Sequence, residues 1–261
     1  MTMNAAPSRK DPVFELRDVS FSYGSNEVIH QVSLGVAAGE VVGLIGDNGA
    51  GKSTLLKLFA GFQIPTQGTL AIDGMPVKFR SPAAARSLGV EAVYQDLAII
   101  EQLSIWRNFY LGKELVKKLG PFRFLDKAAM RNGCIEALQL LGLTRIRSVD
   151  GPAWAMSGGE RQSLAITRAM SLGARILLLD EPTAALSVRQ TRNVLDSIQR
   201  AASAGLGVLY IDHNMDHVAP VADRVVVLDH GRIIVELTGD DINAKHLGDL
   251  VAERREELSA E

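Results

Sequence analysis

Residues 41–59 read V-V-G-L-I-G-D-N-G-A-G-K-S-T-L-L-K-L-F: an apolar run, a glycine-rich loop and an amphipathic stretch. The loop, residues 46–53, fits G-x-x-x-x-G-K-[ST] at every fixed position. Three glycines, Gly46, Gly49 and Gly51, let the backbone curl so that successive N–H groups point inward at a phosphate. The N-terminus of the following helix adds unsatisfied donors and a partial positive charge. Lys52 then reaches the terminal phosphates, and the Ser53 hydroxyl can sit on Mg²⁺. Val41, Val42, Leu44 and Ile45 suit a strand covered on both faces, while Leu55, Leu56, Phe59 and Ala60 give the helix a buried stripe. The stretch predicts an α/β chain built around a phosphate-binding loop.

With 261 residues the chain can bury a large core, and 47% hydrophobic with 22% charged residues is the composition of an ordinary globular protein. A net charge of −2 gives no global electrostatic case for nucleic acid, and none is expected as a partner. The single cysteine, Cys134, cannot form an internal disulfide and sits on an apolar helical stripe, which argues for packing and suits a reducing compartment. The first dozen residues hold no apolar core of a secretory signal, and no apolar run approaches the ~18 residues of a membrane helix. These features predict a cytoplasmic chain that reaches a membrane only through a partner.

Residues 13–22 and 28–36 alternate apolar and polar side chains on either side of Y-G-S-N, the pattern of an antiparallel hairpin with Tyr23 at its tip. Residues 68–72 and 77–79 continue as short strands around Asp73-Gly74, and Ser81-Pro82 opens a short helix ended by Gly89. Residues 90–94 form an apolar strand followed by Gln95. From 97 to 149 the texture becomes helical: Ser104 caps one helix, and Asp126 opens another carrying Met130, Cys134, Leu138 and Leu141 before Gly142.

At Met156, M-S-G-G-E-R-Q leads into a long helix with Leu164, Ala165, Ala169 and Leu172 inside, and Ser157, Gly158 and Gly159 form a second potential anion site at its start. Residues 176–179 are a wholly apolar strand ending in Asp180-Glu181, where α/β sheets place their ligand chemistry. Asp180 suits Mg²⁺, and Glu181 suits the orientation or deprotonation of an attacking water. Ser187 caps a helix whose buried face is expected to carry Val188, Thr191, Leu195, Ile198 and Ala202. A strand over 207–211 ends at Asp212-His213. His213 and His217 stand four apart, but the Glu of H-E-x-x-H is absent, so a zinc pair is disfavoured. A last hairpin surrounds 229–231, and the charged tail, 253–261, reads as a solvated helix end.

Taken in order, Tyr23, G-D-N-G-A-G-K-S-T, Gln95, M-S-G-G-E-R-Q, I-L-L-L-D-E-P-T and His213 resemble the ATP-binding subunit of ABC transporters. The resemblance implies a P-loop NTPase (RecA-like) core with an N-terminal antiparallel β subdomain and an inserted α-helical subdomain. It divides the chain into one ATPase domain at 13–240, with 13–95 and 150–240 as β subdomain plus core and 96–149 as the helical part, and a C-terminal helix and tail at 241–261. It implies ATP and Mg²⁺ as cofactors. Tyr23 would stack on adenine, and Asn48, Gly49, Ala50, Gly51, Lys52, Ser53 and Thr54 would hold the phosphates. Ser53, Gln95 and Asp180 would serve the metal, Glu181 would be the catalytic base, and His213 would touch the γ-phosphate. Ser157, Gly158 and Gly159 would bind ATP held by the opposite subunit, because in this family two ATPase units sandwich two nucleotides head to tail.

The stretches F-R-S-P-A-A-A-R, V-Y-Q-D-L-A-I-I-E-Q-L-S-I, N-F-Y-L-G-K-E and D-E-P-T-A-A-L-S are similar to ATPase subunits of bacterial ribose, xylose and fructose importers. Most of those carry two ATPase units, so this single unit implies a homodimer or a second ATPase chain. Membrane permease subunits and, indirectly, an extracytoplasmic solute-binding protein are the implied partners, at the cytoplasmic face of the inner membrane. Met156 replaces the usual Leu, Glu160 the common Gln, and Ser187 an Asp that often contacts the opposite subunit. Alternatives are a soluble ABC ATPase of DNA repair or ribosomes, an importer of another solute, or a regulatory ATP binder. The first lacks its long coiled-coil insertion or fused second unit here, and the last is opposed by the presence of Lys52, Asp180, Glu181 and His213.

Overall fold

The computed structural model describes residues 11–140, 143, 146, 148–171, 173–243 and 250. The opening alternation folds as β1 (Pro12–Tyr23) and β2 (Asn26–Ala37), antiparallel around Gly24 and Ser25. The apolar run is β3 (Val41–Ile45), buried at all five positions, and the phosphate loop leads from it into α1 (Lys52–Phe59). Then β4 (Gln67–Ile72) pairs with β1 and β5 (Met75–Val77) with β4, giving a four-stranded antiparallel sheet in the order β2-β1-β4-β5. The strand expected over 77–79 ends at Val77. Phe79 instead turns inward, where its ring meets Phe14, which also stacks edge-on against Phe59 at 4.8 Å. Full burial of each such ring stabilises the fold by roughly 1.5–3 kcal/mol.

Ser81 caps α2 (Pro82–Ser87), its hydroxyl accepting from Ala84 N–H, and β6 (Val90–Val93) follows. The inserted segment comprises α3 (Ile105–Phe109), a hairpin of β7 (Val116–Leu119) with β8 (Phe122–Leu125), and α4 (Lys127–Leu140). The segment expected to be helical thus carries a two-stranded ribbon. Lys117-Lys118 obscures its alternation, while Gly120 at φ +61° makes its turn. Met130, Cys134 and Leu138 are buried as expected and pack with Trp106 and Phe109; Leu141 and Gly142 lie outside the described residues.

The chain returns through α5 (Gly158–Ser171), β9 (Ile176–Asp180), α6 (Val188–Ser203), β10 (Gly207–Ile211), α7 (Met215–Val218), β11 (Arg224–Asp229) and β12 (Arg232–Thr238). The helix expected from Met156 begins at Gly158, and Leu172 and the tail over 253–261 lie outside the described residues. A six-stranded sheet runs β12-β11-β3-β10-β9-β6, parallel except for β12. β3, β10 and the first four residues of β9 are apolar because both faces are covered, whereas the edge strand β12 exposes Arg232, Glu236 and Thr238. Leu178, Leu44 and Ile211 face α1 and the antiparallel sheet; Leu177, Leu179 and Tyr210 face α5 and α6. No helix among the described residues is long and apolar enough to cross a membrane.

The buried stripe of α6 differs from expectation. Thr191, Val194, Ser197, Ile198, Ala201 and Ala202 are inside, whereas Val188 is 82% exposed. Packing against α5 begins at Gln190, which lies over Gly159, and continues where Ser197 Oγ donates to Ser163 Oγ at 3.1 Å. Val188 precedes that packed length.

Candidate functional site

In the glycine-rich loop Lys52 is 7% exposed, and its ammonium donates to the carbonyls of Gly46 (2.6 Å) and Asp47 (3.0 Å). The loop therefore wraps the lysine head. Gly51 caps α1 at φ +105° with no side-chain bond, and the first carbonyl used within the helix is its own, accepting from Leu55 N–H at 2.9 Å. The N–H groups of Lys52, Ser53 and Thr54 precede that bond and remain as donors at the positive end of the helix. Gly49 has φ +89°, and a Cβ there meets nothing within 4 Å, so the loop is open to a ligand on that side. Its other side is closed. A Cβ on Gly46 would lie 2.3 Å from Leu228 O, and one on Gly51 would lie 2.9 Å from Ile29 Cδ1.

Sheet register sets what stands beside this loop. Leu44 pairs with Ile211, Ile211 with Asp180, and Leu179 with Val93. The phosphate loop, Asp180-Glu181, Asp212-His213 and Gln95 thus leave one sheet edge side by side, at the carboxyl ends of parallel strands where α/β sheets bind ligands. Burial, and then the charge of Glu181, push the Asp180 carboxyl above its ordinary value, while Lys52 and Lys57 pull it back. Glu181 has φ +45°, a left-handed conformation that costs a non-glycine residue roughly 1–2 kcal/mol. Its N–H is held by Ile211 O at 2.9 Å, and its carboxylate oxygen lies 3.4 Å from His213 Nδ1.

The exposed Ser53 hydroxyl, the half-buried Asp180 carboxylate and the exposed Gln95 amide form an all-oxygen set with one carboxylate. That set fits Mg²⁺, which takes one or two carboxylates and fills its shell with water and phosphate. Within the loop Asn48 is exposed, while Ala50 and Thr54 are buried.

Other expected residues stand apart. Tyr23 is exposed at the tip of the β1–β2 hairpin, its ring edge-on to Phe21 at 4.8 Å. At the second glycine motif the Glu160 carboxylate accepts from both the N–H and the hydroxyl of Ser157 at 2.8 Å. Gly159 lies against Gln190 of α6, where a Cβ would approach its Cβ to 2.9 Å. Ser187 begins α6 as expected, with Gln190 Oε1 accepting from its N–H (3.0 Å) and hydroxyl (2.9 Å). His213 and His217 turn to different partners, Glu181 for the first and Thr183 for the second.

The sequence reading passed over Thr183, Tyr210 and Asp212, which are buried behind the site. Asp212 is 2% exposed and accepts from Tyr210 OH (2.8 Å), Thr183 Oγ1 (2.5 Å) and Asn214 N–H (2.9 Å). A signal was present: Tyr210 and Asp212 stand two apart, hence on one face, at the end of an otherwise apolar strand.

Residues 29–184 match the family model described as ABC transporter. The chain is 42% identical over 239 residues to the xylose/arabinose import ATP-binding protein of Sulfolobus acidocaldarius, covering 92% of this chain and 93% of that one. It is 39% identical to the fructose import ATP-binding protein of Rhizobium meliloti, over 89% and 90% of the two chains. To a ribose import ATP-binding protein of Burkholderia pseudomallei it is 38% identical over 90% of this chain, which spans only 46% of that one. In fold it is similar to an ATP-binding cassette of an ABC transporter in its ADP conformation, with TM-score 0.81 and 23% identity over 94% of this chain and 99% of that one. With the phosphate loop, the paired carboxylates and the histidine assembled on one sheet edge, and the xylose/arabinose and fructose relatives matched over nine-tenths of their length, the chain belongs to the ABC transporter family, as an ATP-binding subunit whose activity is ATP hydrolysis.

Proposed function

We propose that this subunit powers a sugar importer: two ATPase units close on two ATP molecules, and hydrolysis reopens them to drive membrane permease subunits supplied by an extracytoplasmic binding protein. The observation that carries the chemistry is the convergence of Lys52, Asp180, Glu181 and His213 on one edge of the parallel sheet. Sugar as cargo is supported by the import names of the xylose/arabinose, fructose and ribose relatives. The site of work is the cytoplasmic face of the inner membrane.

In this reading Tyr23 stacks on adenine, while Asn48, Gly49, Ala50, Gly51 and Thr54 cradle the phosphates and Lys52 leaves its two carbonyls for the terminal phosphate oxygens. Ser53, Asp180 and Gln95 hold Mg²⁺, which neutralises phosphate charge when bound. Glu181 takes a proton from water as the water oxygen bonds to the γ-phosphorus; the bond from that phosphorus to the bridging oxygen breaks, and ADP leaves with the electron pair. His213, beside Glu181, steadies the γ-phosphate. Ser157 is held by its own Glu160 and Gly159 packs on Gln190 of α6, and in this reading the motif serves the nucleotide of a second ATPase unit, identical or not.

The test adds tagged Glu181→Gln protein with ATP and Mg²⁺ to detergent-solubilised native membranes and identifies what stays bound by mass spectrometry. A polytopic permease encoded with a solute-binding protein is the expected partner. Ribosomes or DNA-repair proteins without a permease would overturn the importer reading and leave the ATPase standing.

A further inference from the structure

We infer that Thr183, Tyr210 and Asp212 are positioning residues for ATP hydrolysis, a buried clamp that fixes Glu181 and His213 relative to each other; this rests on the catalytic roles proposed above. Asp212 is tied to the site from four directions. Its N–H donates to Leu44 O (3.3 Å), two residues before the phosphate loop, and Asn214 N–H donates to its Oδ1 (2.9 Å). Its Oδ2 takes the protons of Tyr210 OH (2.8 Å) and Thr183 Oγ1 (2.5 Å). His213 follows Asp212 directly, and Thr183 follows Glu181 by two. One carboxylate therefore holds the chain just before the histidine and just after the glutamate.

Proton accounting extends the clamp to His217. Tyr210 and Thr183 each have one hydroxyl proton, and both lie nearest Asp212. The 3.0 Å contact between Thr183 Oγ1 and His217 Nδ1 then requires the imidazole to donate from Nδ1. Asn214 agrees: its Oδ1 accepts from Asp216 N–H at 2.9 Å, which leaves its NH₂ facing His217 Nε2 at 3.4 Å. These contacts assign His217 as the Nδ1–H tautomer.

Such a clamp has work to do here. Glu181 sits at φ +45°, a conformation that persists only where neighbours over-determine it. Its own N–H bond to Ile211 O anchors the entry to this residue, and Thr183 on Asp212 anchors the exit. Without the second anchor the carboxylate is free to relax away from His213. A misplacement of about 1 Å costs on the order of 10²-fold in rate.

The test measures ATP hydrolysis and the affinity of a fluorescent ATP analogue for full-length Thr183→Val, Thr183→Ser, Tyr210→Phe and Glu181→Gln proteins, with thermal melts of each. Thr183→Val keeps the shape and loses the hydroxyl. It is expected to lower kcat by about 10- to 100-fold with KM and analogue affinity within about twofold of wild type. Tyr210→Phe is expected to fall in the same direction by less, and Thr183→Ser to recover most of the rate. Wild-type kcat in a folded Thr183→Val protein would overturn the clamp, as would a loss shared equally by kcat and nucleotide affinity or unrelieved by serine. If Glu181→Gln itself hydrolyses ATP normally, the catalytic assignment beneath the clamp fails instead.

Discussion

His213 Nδ1 lies 3.4 Å from Glu181 Oε1, across the ends of two neighbouring parallel strands. Glu181→Gln keeps the shape of this contact and removes the proton acceptor. It is expected to bind ATP within a few-fold of wild type while turnover falls on the order of 10²–10³-fold. Phosphate release measured beside equilibrium nucleotide binding checks this, and near-normal release would show that the base is another residue.

Lys52 is buried with its charge on two loop carbonyls. In the proposed reading Lys52→Ala removes a buried cation that serves the terminal phosphates, at a cost of about 2–5 kcal/mol of binding, roughly 30- to 5,000-fold in affinity. Titration with an ATP analogue tests it. An unchanged dissociation constant would mean that the backbone cradle alone holds the nucleotide.

Two loop glycines answer to different constraints and separate in the test. Gly46→Ala drives a methyl onto Leu228 O, a backbone atom, and is expected to lower unfolding stability by about 1–3 kcal/mol. Gly49→Ala enters open space and meets only the strain of φ +89°, about 1 kcal/mol. Urea unfolding of both should rank Gly46→Ala as the more damaging.

Arg224 binds Glu40 (2.8 Å), Glu236 (3.3 Å) and the carbonyl of Gly35, joining β11 to β2, to the residue preceding β3 and to β12. Its side chain is 10% exposed and Glu40 17%, so Arg224→Ala takes the counter-charge from a largely buried carboxylate, which keeps its bond from Ala37 N–H (2.7 Å). The expected loss is about 3 kcal/mol, near the lower end for a broken buried pair because Glu236 stays 28% exposed. Chemical denaturation measures it.

Burial alone pushes the Cys134 thiol up to about 12 from 9.0. The thiolate is the reactive form, and at pH 8 its fraction is depressed by roughly 10³-fold relative to a free thiol. Maleimide should therefore label the native chain that much more slowly than the urea-unfolded one. Rapid native labelling would mean that the inserted segment opens readily.

Much of the arrangement was legible in the residues. The run over 41–45 is apolar because both faces of β3 are covered, and the end of β9 was readable because Asp180-Glu181 breaks an all-apolar strand. What failed to show had a physical reason in each instance. Val188 fits helical spacing, but a helix buries only what another element reaches, and α5 reaches α6 from Gln190 onward. The β7–β8 ribbon leaves Phe122 65% and Phe124 48% exposed, so no difference between its faces marked it as a strand pair. Asp212 was passed over because its three donors come from residues 183, 210 and 214, and only folding brings the first of these to it.

One chain of backbone bonds crosses the molecule through the phosphate loop: His30 N–H to Gly231 O at 2.9 Å, and Gly231 N–H to Ala50 O at 2.9 Å. Ile29 of the antiparallel sheet and Leu228 of the parallel sheet press on Gly51 and Gly46 from either side. The loop is in effect a keystone. The two sheets cannot slide past each other without deforming that loop, and a change of length in the adjoining β11–β12 turn, whose Gly231 bonds Ala50, reaches the loop directly.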